Sequence, residues 1–186
     1  MNAKDLRISE NSSHIVFITG GTKSGKSEFA EYLAKKVKNL SYVALSKNNL
    51  EDEEWQEKIN LHRKRRPKDW KSIETADLIN TLRKEEGPLL IDSIGGFVME
   101  SIEKEQNEWS TKMNSLISLL IRRKSISIIV GEQVGWSLVS EYKIGNTYIE
   151  RIGDLQKRIT KISKDNWLAI NGKAIKIDEI SIEIPT

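Results

Sequence analysis

The sequence predicts an α/β protein: a mostly parallel sheet covered by helices on both faces, with an antiparallel hairpin at its C-terminal edge. Three observations lead there. Short, largely apolar runs at residues 14–19, 89–92 and 126–130 read as strands buried on both faces. Between them lie segments whose apolar residues recur three and four apart, as on one side of a helix. An Asn-Gly pair, Asn171-Gly172, sits between two alternating runs near the C-terminus and marks a tight hairpin. The 186 residues suffice for one ordinary domain and are tight for two, so the reading is a flexible polar extension over 1–13 and a single domain over 14–186.

In chain order, the first strand runs straight into glycines and then a helix in which Phe29, Ala30, Leu33, Ala34 and Val37 share one face. Residues 41–45 read as a second strand. Residues 51–64 read as a helix with an acidic start, which suits the helix dipole, and with Trp55 and Ile59 on one side. Pro67 ends it, and a loop runs through Trp70. A short helix over 76–83 leads through Gly87-Pro88 into the strand Leu89-Leu90-Ile91-Asp92. Trp109, Met113, Leu116, Ile117 and Leu120 mark an amphipathic helix, 126–130 the next strand, and Tyr148, Ile152, Leu155, Ile159 and Ile162 another helix. The hairpin over 167–177 closes the order.

Composition narrows the function classes. The chain is 38% apolar and 31% charged, in keeping with a folded protein in water. No run approaches the ~20 apolar residues of a membrane helix, and residues 1–13 lack a signal peptide's apolar core. With no cysteine there is no disulfide framework and no thiolate chemistry, and a cytoplasmic location is expected. Net charge is only +3. One basic cluster, Arg63, Lys64, Arg65, Arg66 and Lys68, reads as a phosphate site, a solvated helix end or a nucleic-acid patch. Aromatics for stacking bases are few, so no nucleic-acid partner is expected.

The chemistry is concentrated in Gly20, Gly21, Thr22, Lys23, Ser24, Gly25, Lys26 and Ser27, which fit G-x-x-x-x-G-K-[ST] between a strand and a helix. Glycines let the backbone N–H groups converge on phosphate oxygens while the next helix points its positive end at them. This is a P-loop. Lys26 is expected to reach the β- and γ-phosphates of ATP or GTP, and Ser27 to ligate Mg²⁺. Asp92 ends an apolar strand, where such proteins keep the second metal-side carboxylate; an Asp there also suits a turn. Glu74 suits a helix cap. His62 falls on the Trp55–Ile59 face, as a packed helix residue or, beside its basic neighbours, as a nucleophile. His14 opens the buried first strand and reads as structural.

Together these motifs resemble the bifunctional adenosylcobinamide kinase / adenosylcobinamide-phosphate guanylyltransferase family of cobalamin biosynthesis. The resemblance covers nearly all of residues 14–177 and is carried by 18–31, by Tyr42-Val43-Ala44, and by the block Ile59-x-x-His62-x-x-x-Arg66-Pro67-x-x-Trp70-x-x-x-Glu74. It implies a RecA-like sheet and an Mg²⁺-dependent enzyme acting on GTP or ATP and a corrinoid. It implies that Lys26 and His62 are catalytic, His62 as a nucleophile that becomes guanylylated. It places further nucleotide contacts on Ala44, Leu45, Ser46, Arg63, Lys64, Arg65, Arg66, Glu74 and Asp92, and implies a homo-oligomer, a trimer. The second half departs from the family pattern. Cys-Leu-Thr-x-Trp becomes Ser93-Ile94-Gly95-Gly96-Phe97, Asn-Glu-Val-Gly becomes Glu132-Gln133-Val134-Gly135, and Phe-Arg-Asp becomes Tyr148-Ile149-Glu150. Two other readings fit the residues: a P-loop kinase of another small hydroxyl substrate, and a nucleotide-binding regulatory protein that has lost catalysis.

Overall fold

In the computed structural model, which describes residues 14–45, 67, 69–136 and 140–185, the first apolar run forms strand β1 (Ile15–Gly20), buried at every position. Helix α1 (Lys26–Ala34) follows the glycine loop, and strand β2 (Ser41–Ala44) follows α1. Strand β3 (Lys71–Glu74) and helix α2 (Leu78–Lys84) precede β4 (Leu89–Asp92). Helices α3 (Gly95–Glu100) and α4 (Gln106–Arg122) lead to β5 (Ser127–Glu132). Helix α5 (Lys143–Ile162) leads to the hairpin β6 (Asp165–Ile170) and β7 (Lys173–Lys176). The expected extension over 1–13 and helix over 51–64 lie outside the described residues.

The strands form one seven-stranded sheet in the order β3-β2-β4-β5-β1-β6-β7. Every pairing is parallel except β6 with β7. The hairpin therefore adds one parallel strand, against β1, before the antiparallel one. Asn171 and Gly172 make its turn with φ of 49° and 74°, the left-handed pair that a two-residue hairpin loop needs.

Period-two alternation sorts the strand residues into two cores. Ile15, Phe17, Leu89, Ile91 and Ile129 pack beneath α2, α3, α4 and α5, whose Leu82, Phe97, Trp109, Leu116, Leu155 and Ile159 complete that layer. Val16, Ile18, Leu90, Ile128 and Val130 face α1 through Ala30, Leu33 and Ala34, with Trp70 and Trp167 in the same core. The apolar faces expected on α1, α4 and α5 are the faces buried. Local signals start and stop these helices: Asp77 accepts from the Asn80 N–H at 3.0 Å to cap α2, and Glu105 and Glu108 form a capping box on α4.

Two elements escape the sequence pattern. Strand β3 lies at the sheet edge, where Lys71, Ser72 and Glu74 are exposed and only Ile73 packs inward, so no alternation marks it. Helix α3 begins Gly95-Gly96, residues that discourage a helix on propensity alone. Among the described residues no helix is long and apolar enough to cross a membrane.

Candidate active site

Because β1 to β5 are parallel, their carboxyl ends open on one edge of the sheet, where open α/β sheets take ligands. Gly20, Ala44, Glu74, Asp92 and Glu132 are the last residues of those five strands.

The loop from Gly20 to Ser27 has the local geometry its glycines predict. Gly25 adopts φ 93° and stands at the N-cap of α1, where no side chain caps the helix. Lys23 is also left-handed, at φ 56°. Gly20 is required for a different reason: a Cβ there would overlap the Ala169 carbonyl oxygen of β6 and lie 2.7 Å from Ser24 Oγ. The hairpin turn then braces the loop, since the Gly172 N–H donates to the Ser24 carbonyl at 3.0 Å. Lys26 Nζ folds back over the loop and donates to the Gly21 carbonyl at 3.1 Å. Uncapped N–H groups and an ammonium facing one concavity form a ready anion site.

Asp92 is brought to this loop from 65 positions beyond Ser27. Ser27 Oγ donates to its Oδ1 at 3.2 Å and Tyr42 Oη to its Oδ2 at 2.8 Å. A hydroxyl and a carboxylate oxygen side by side at a phosphate loop are hard donors of the kind Mg²⁺ takes, the rest of its shell coming from phosphate and water. The residues present fit that ion. Among the described residues there is no cluster of three or more His, Cys, Asp or Glu side chains able to hold a metal alone.

Glu132 is the residue sequence reasoning left without a role. It lies directly opposite Gly20 in the β1–β5 register. Ser93 Oγ donates to its Oε1, while Oε2 is buried without a hydrogen-bond partner among the described residues. Burial pushes its carboxyl above the ordinary glutamate value and the Asp92 charge adds to the rise; the Ser93 hydrogen bond and the Lys26 ammonium oppose it. Burial, with the Glu132 charge in addition, also raises the Tyr148 phenol. Gln156 of α5 straps the two strands together, accepting from Thr19 Oγ1 at 2.8 Å and donating to the Glu132 carbonyl at 2.9 Å. One signal was available: like Asp92, Glu132 ends an unbroken apolar run.

The expected site residues thus divide. Gly20–Ser27 and Asp92 come together, and Ala44 and Glu74 pair in register at the same edge, one and two strands beyond Asp92, with Leu45 next in the chain. Ser46, His62, Arg63, Lys64, Arg65 and Arg66 lie outside the described residues.

A family model described as cobinamide kinase / cobinamide phosphate guanyltransferase matches residues 16–177. The chain belongs to this family. It is 24% identical over 181 residues to the bifunctional adenosylcobalamin biosynthesis protein CobU of Escherichia coli (strain K12), across 88% of this chain and 99% of that one. It is 28% identical over 150 residues to the bifunctional adenosylcobalamin biosynthesis protein CobP of Pseudomonas aeruginosa, across 77% and 86%. The fold also resembles a type III secretion system ATPase (TM-score 0.55, 11% identity, 84% of this chain and 51% of that one). A second solved structure, from Pyrococcus horikoshii OT3, gives a TM-score of 0.54 at 9% identity, across 100% and 98%. This family member is therefore an enzyme, a nucleotide-dependent transferase on a P-loop fold, with relatives in adenosylcobalamin biosynthesis.

Two close approaches join α3 to its neighbours. A Cβ on Gly95 would overlap Tyr148 Oη and lie 2.8 Å from both Glu132 carboxylate oxygens. The Glu132 side chain on β5 fills the space that a side chain on α3 would need. Gly96 is tighter still, since its Cβ would overlap the Leu45 carbonyl and lie 2.6 Å from Leu45 Cβ.

Proposed function

We propose that this enzyme phosphorylates the aminopropanol hydroxyl of adenosylcobinamide and then transfers GMP from GTP to the resulting corrinoid phosphate through a guanylyl-His62 intermediate. The observation that carries the kinase half is the meeting of Ser27 and Asp92, 65 positions apart, at the mouth of the P-loop with Lys26 beside them. In this reading the loop N–H groups hold the β- and γ-phosphates, and Lys26 follows the charge on the transferring phosphoryl group. Ser27 and Asp92 would hold Mg²⁺, which supplies charge neutralisation to the phosphates when bound.

The guanylyltransfer half rests on the Ile59-x-x-His62-x-x-x-Arg66-Pro67 block. A His62 ring nitrogen attacks the α-phosphorus of GTP, the α–β bridging bond breaks, and pyrophosphate leaves with its electron pair. The corrinoid phosphate oxygen then displaces the histidine and takes GMP. Arg63, Lys64, Arg65 and Arg66 would receive the triphosphate charge, with Ala44, Leu45, Ser46 and Glu74 completing the GTP contacts. The family resemblance further implies a homotrimer.

GTP labelled in its α-phosphate is the test. The protein is expected to carry label through a denaturing gel, to lose it in acid and keep it in base, as a phosphoramidate does, and to carry none as His62→Asn. Label persisting in His62→Asn moves the nucleophile elsewhere. An unlabelled wild type with GTP bound, joined to corrinoid-dependent release of nucleoside diphosphate, leaves only the kinase half.

A further inference from the structure

We infer that Glu132 receives the proton of the acceptor hydroxyl during phosphoryl transfer. The inference rests on the kinase reading above and gives a role to a residue that reading does not use.

Position is the first argument. Strand β5 lies between β1, which ends in the P-loop, and β4, which ends in Asp92. The carboxyl end of β5 therefore opens between the loop that takes the phosphates and the carboxylate that faces Ser27. Glu132 is the last residue of that strand and stands opposite Gly20, the first residue of the loop. The Lys26 ammonium is close enough to act on its charge.

Satisfaction of its oxygens is the second. Asp92 has both oxygens engaged, one by Ser27 and one by Tyr42. Glu132 has only one engaged, by Ser93, which fixes the carboxylate's orientation. Its Oε2 is buried with no donor among the described residues. Leaving a buried acceptor unpaired is costly, and such atoms in a folded protein call for a specific explanation. A substrate hydroxyl is the donor that would satisfy it, and the residue as a whole is only partly buried at the open edge of the sheet.

The chemistry agrees. A carboxylate whose proton affinity is raised by burial accepts a proton better than one in water, and a bound triphosphate adds negative charge that acts in the same direction. In the step itself the acceptor oxygen bonds to the γ-phosphorus as that phosphorus parts from the β–γ bridging oxygen. The electron pair leaves on the nucleoside diphosphate, and the hydroxyl proton ends on Glu132.

The test uses the full chain, adenosylcobinamide and Mg²⁺ with GTP or ATP, with thermal melts establishing that each variant folds. Glu132→Gln keeps the size and the Ser93 contact and cannot take the proton. Its kcat is expected to fall by about 10²–10⁴-fold, the usual worth of a general base. KM for both substrates should stay within about threefold, as when an interaction made only in the transition state is lost. Glu132→Asp, which keeps the carboxylate on a shorter arm, should recover part of that kcat. A kcat for Glu132→Gln within about threefold of wild type overturns the inference. So does a Glu132→Asp no faster than Glu132→Gln. A wild type that forms no nucleoside diphosphate in response to the corrinoid overturns the kinase reading, and this inference with it.

Discussion

Asp92 and Glu132 end neighbouring strands of one sheet, each after an unbroken apolar run, yet their surroundings are opposite in kind. Asp92 is met by hydroxyls from two elements, Ser27 of α1 and Tyr42 of β2. Among the described residues Glu132 is met by one hydroxyl, from Ser93, and Gly95 passes close to its carboxylate. The strand grammar that delivers a carboxylate to the sheet edge is the same in both cases. What the carboxylate can do is decided by what the next elements bring to it: donors that stabilise the charge at Asp92, and a close, poorly hydrated wall at Glu132 that disfavours it.

The largest expected effect comes from removing the better-satisfied member. Asp92→Ala should lower corrinoid-dependent phosphoryl transfer by at least about 10²-fold, the scale on which loss of a single electrostatic contributor is felt in such sites. It should also cost about 1–3 kcal/mol of stability, because the Ser27 and Tyr42 hydroxyls lose their acceptor. Steady-state kinetics and urea unfolding measure the two effects. Turnover close to wild type would mean that phosphoryl transfer does not need the Asp92 carboxylate.

Next in size is the pairing between α3 and β5. Gly95→Thr alone places a side chain onto the Glu132 carboxylate and Tyr148 Oη, and overpacking of that kind costs about 1–3 kcal/mol. Made together with Glu132→Asn, which shortens the side chain facing Gly95, much of that cost should vanish. The double-mutant cycle should show a coupling of about 0.5–3 kcal/mol. Strict additivity would show that the two side chains do not compete for the same space.

These two positions also show how far the sequence could be read. The elements of the P-loop half were legible because a strand, a glycine loop and an amphipathic helix each carry their own periodicity, and the same holds for β4, β5, α4, α5 and the hairpin. Asp92 was legible only through the P-loop, which gives a meaning to a carboxylate at the end of a second strand. Glu132 had the same strand-end signal and no motif to interpret it, because its significance depends on Gly95 and Tyr148, 37 and 16 positions away. Strand β3 and helix α3 were illegible because one is an exposed edge strand and the other begins with two glycines that are there for close approach.

A smaller effect sharpens the account of Asp92. Tyr42→Phe removes one of its two described donors without disturbing the ring, which is buried in the α1-side core. The expected cost is about 1 kcal/mol or somewhat more, since the acceptor is charged. Phosphoryl transfer should fall far less than in Asp92→Ala, because Ser27 still addresses the other oxygen. A loss as large as that of Asp92→Ala would make Tyr42 a part of the site and not only its support.

The smallest effect is a pH signature of Glu132 read on stability alone. In the folded protein the Glu132 carboxyl titrates above its ordinary value of 4.5, chiefly through burial. Between that ordinary value and the raised one, the folded state holds a proton that the unfolded state has lost, so stability falls as pH rises through this window. Above the window the penalty is complete and constant. Glu132→Gln carries no titrating group and escapes it. The melting temperature of Glu132→Gln relative to wild type should therefore be lowest below about pH 4, climb as pH rises, and level off once Glu132 is ionised in the fold. For a chain of this length each kcal/mol recovered appears as about 2–4 °C. Taking the difference between the two proteins cancels the titrating groups that do not interact with Glu132. A difference that stays flat with pH would mean that Glu132 ionises as it would in water, and the contrast with Asp92 would lose its physical basis.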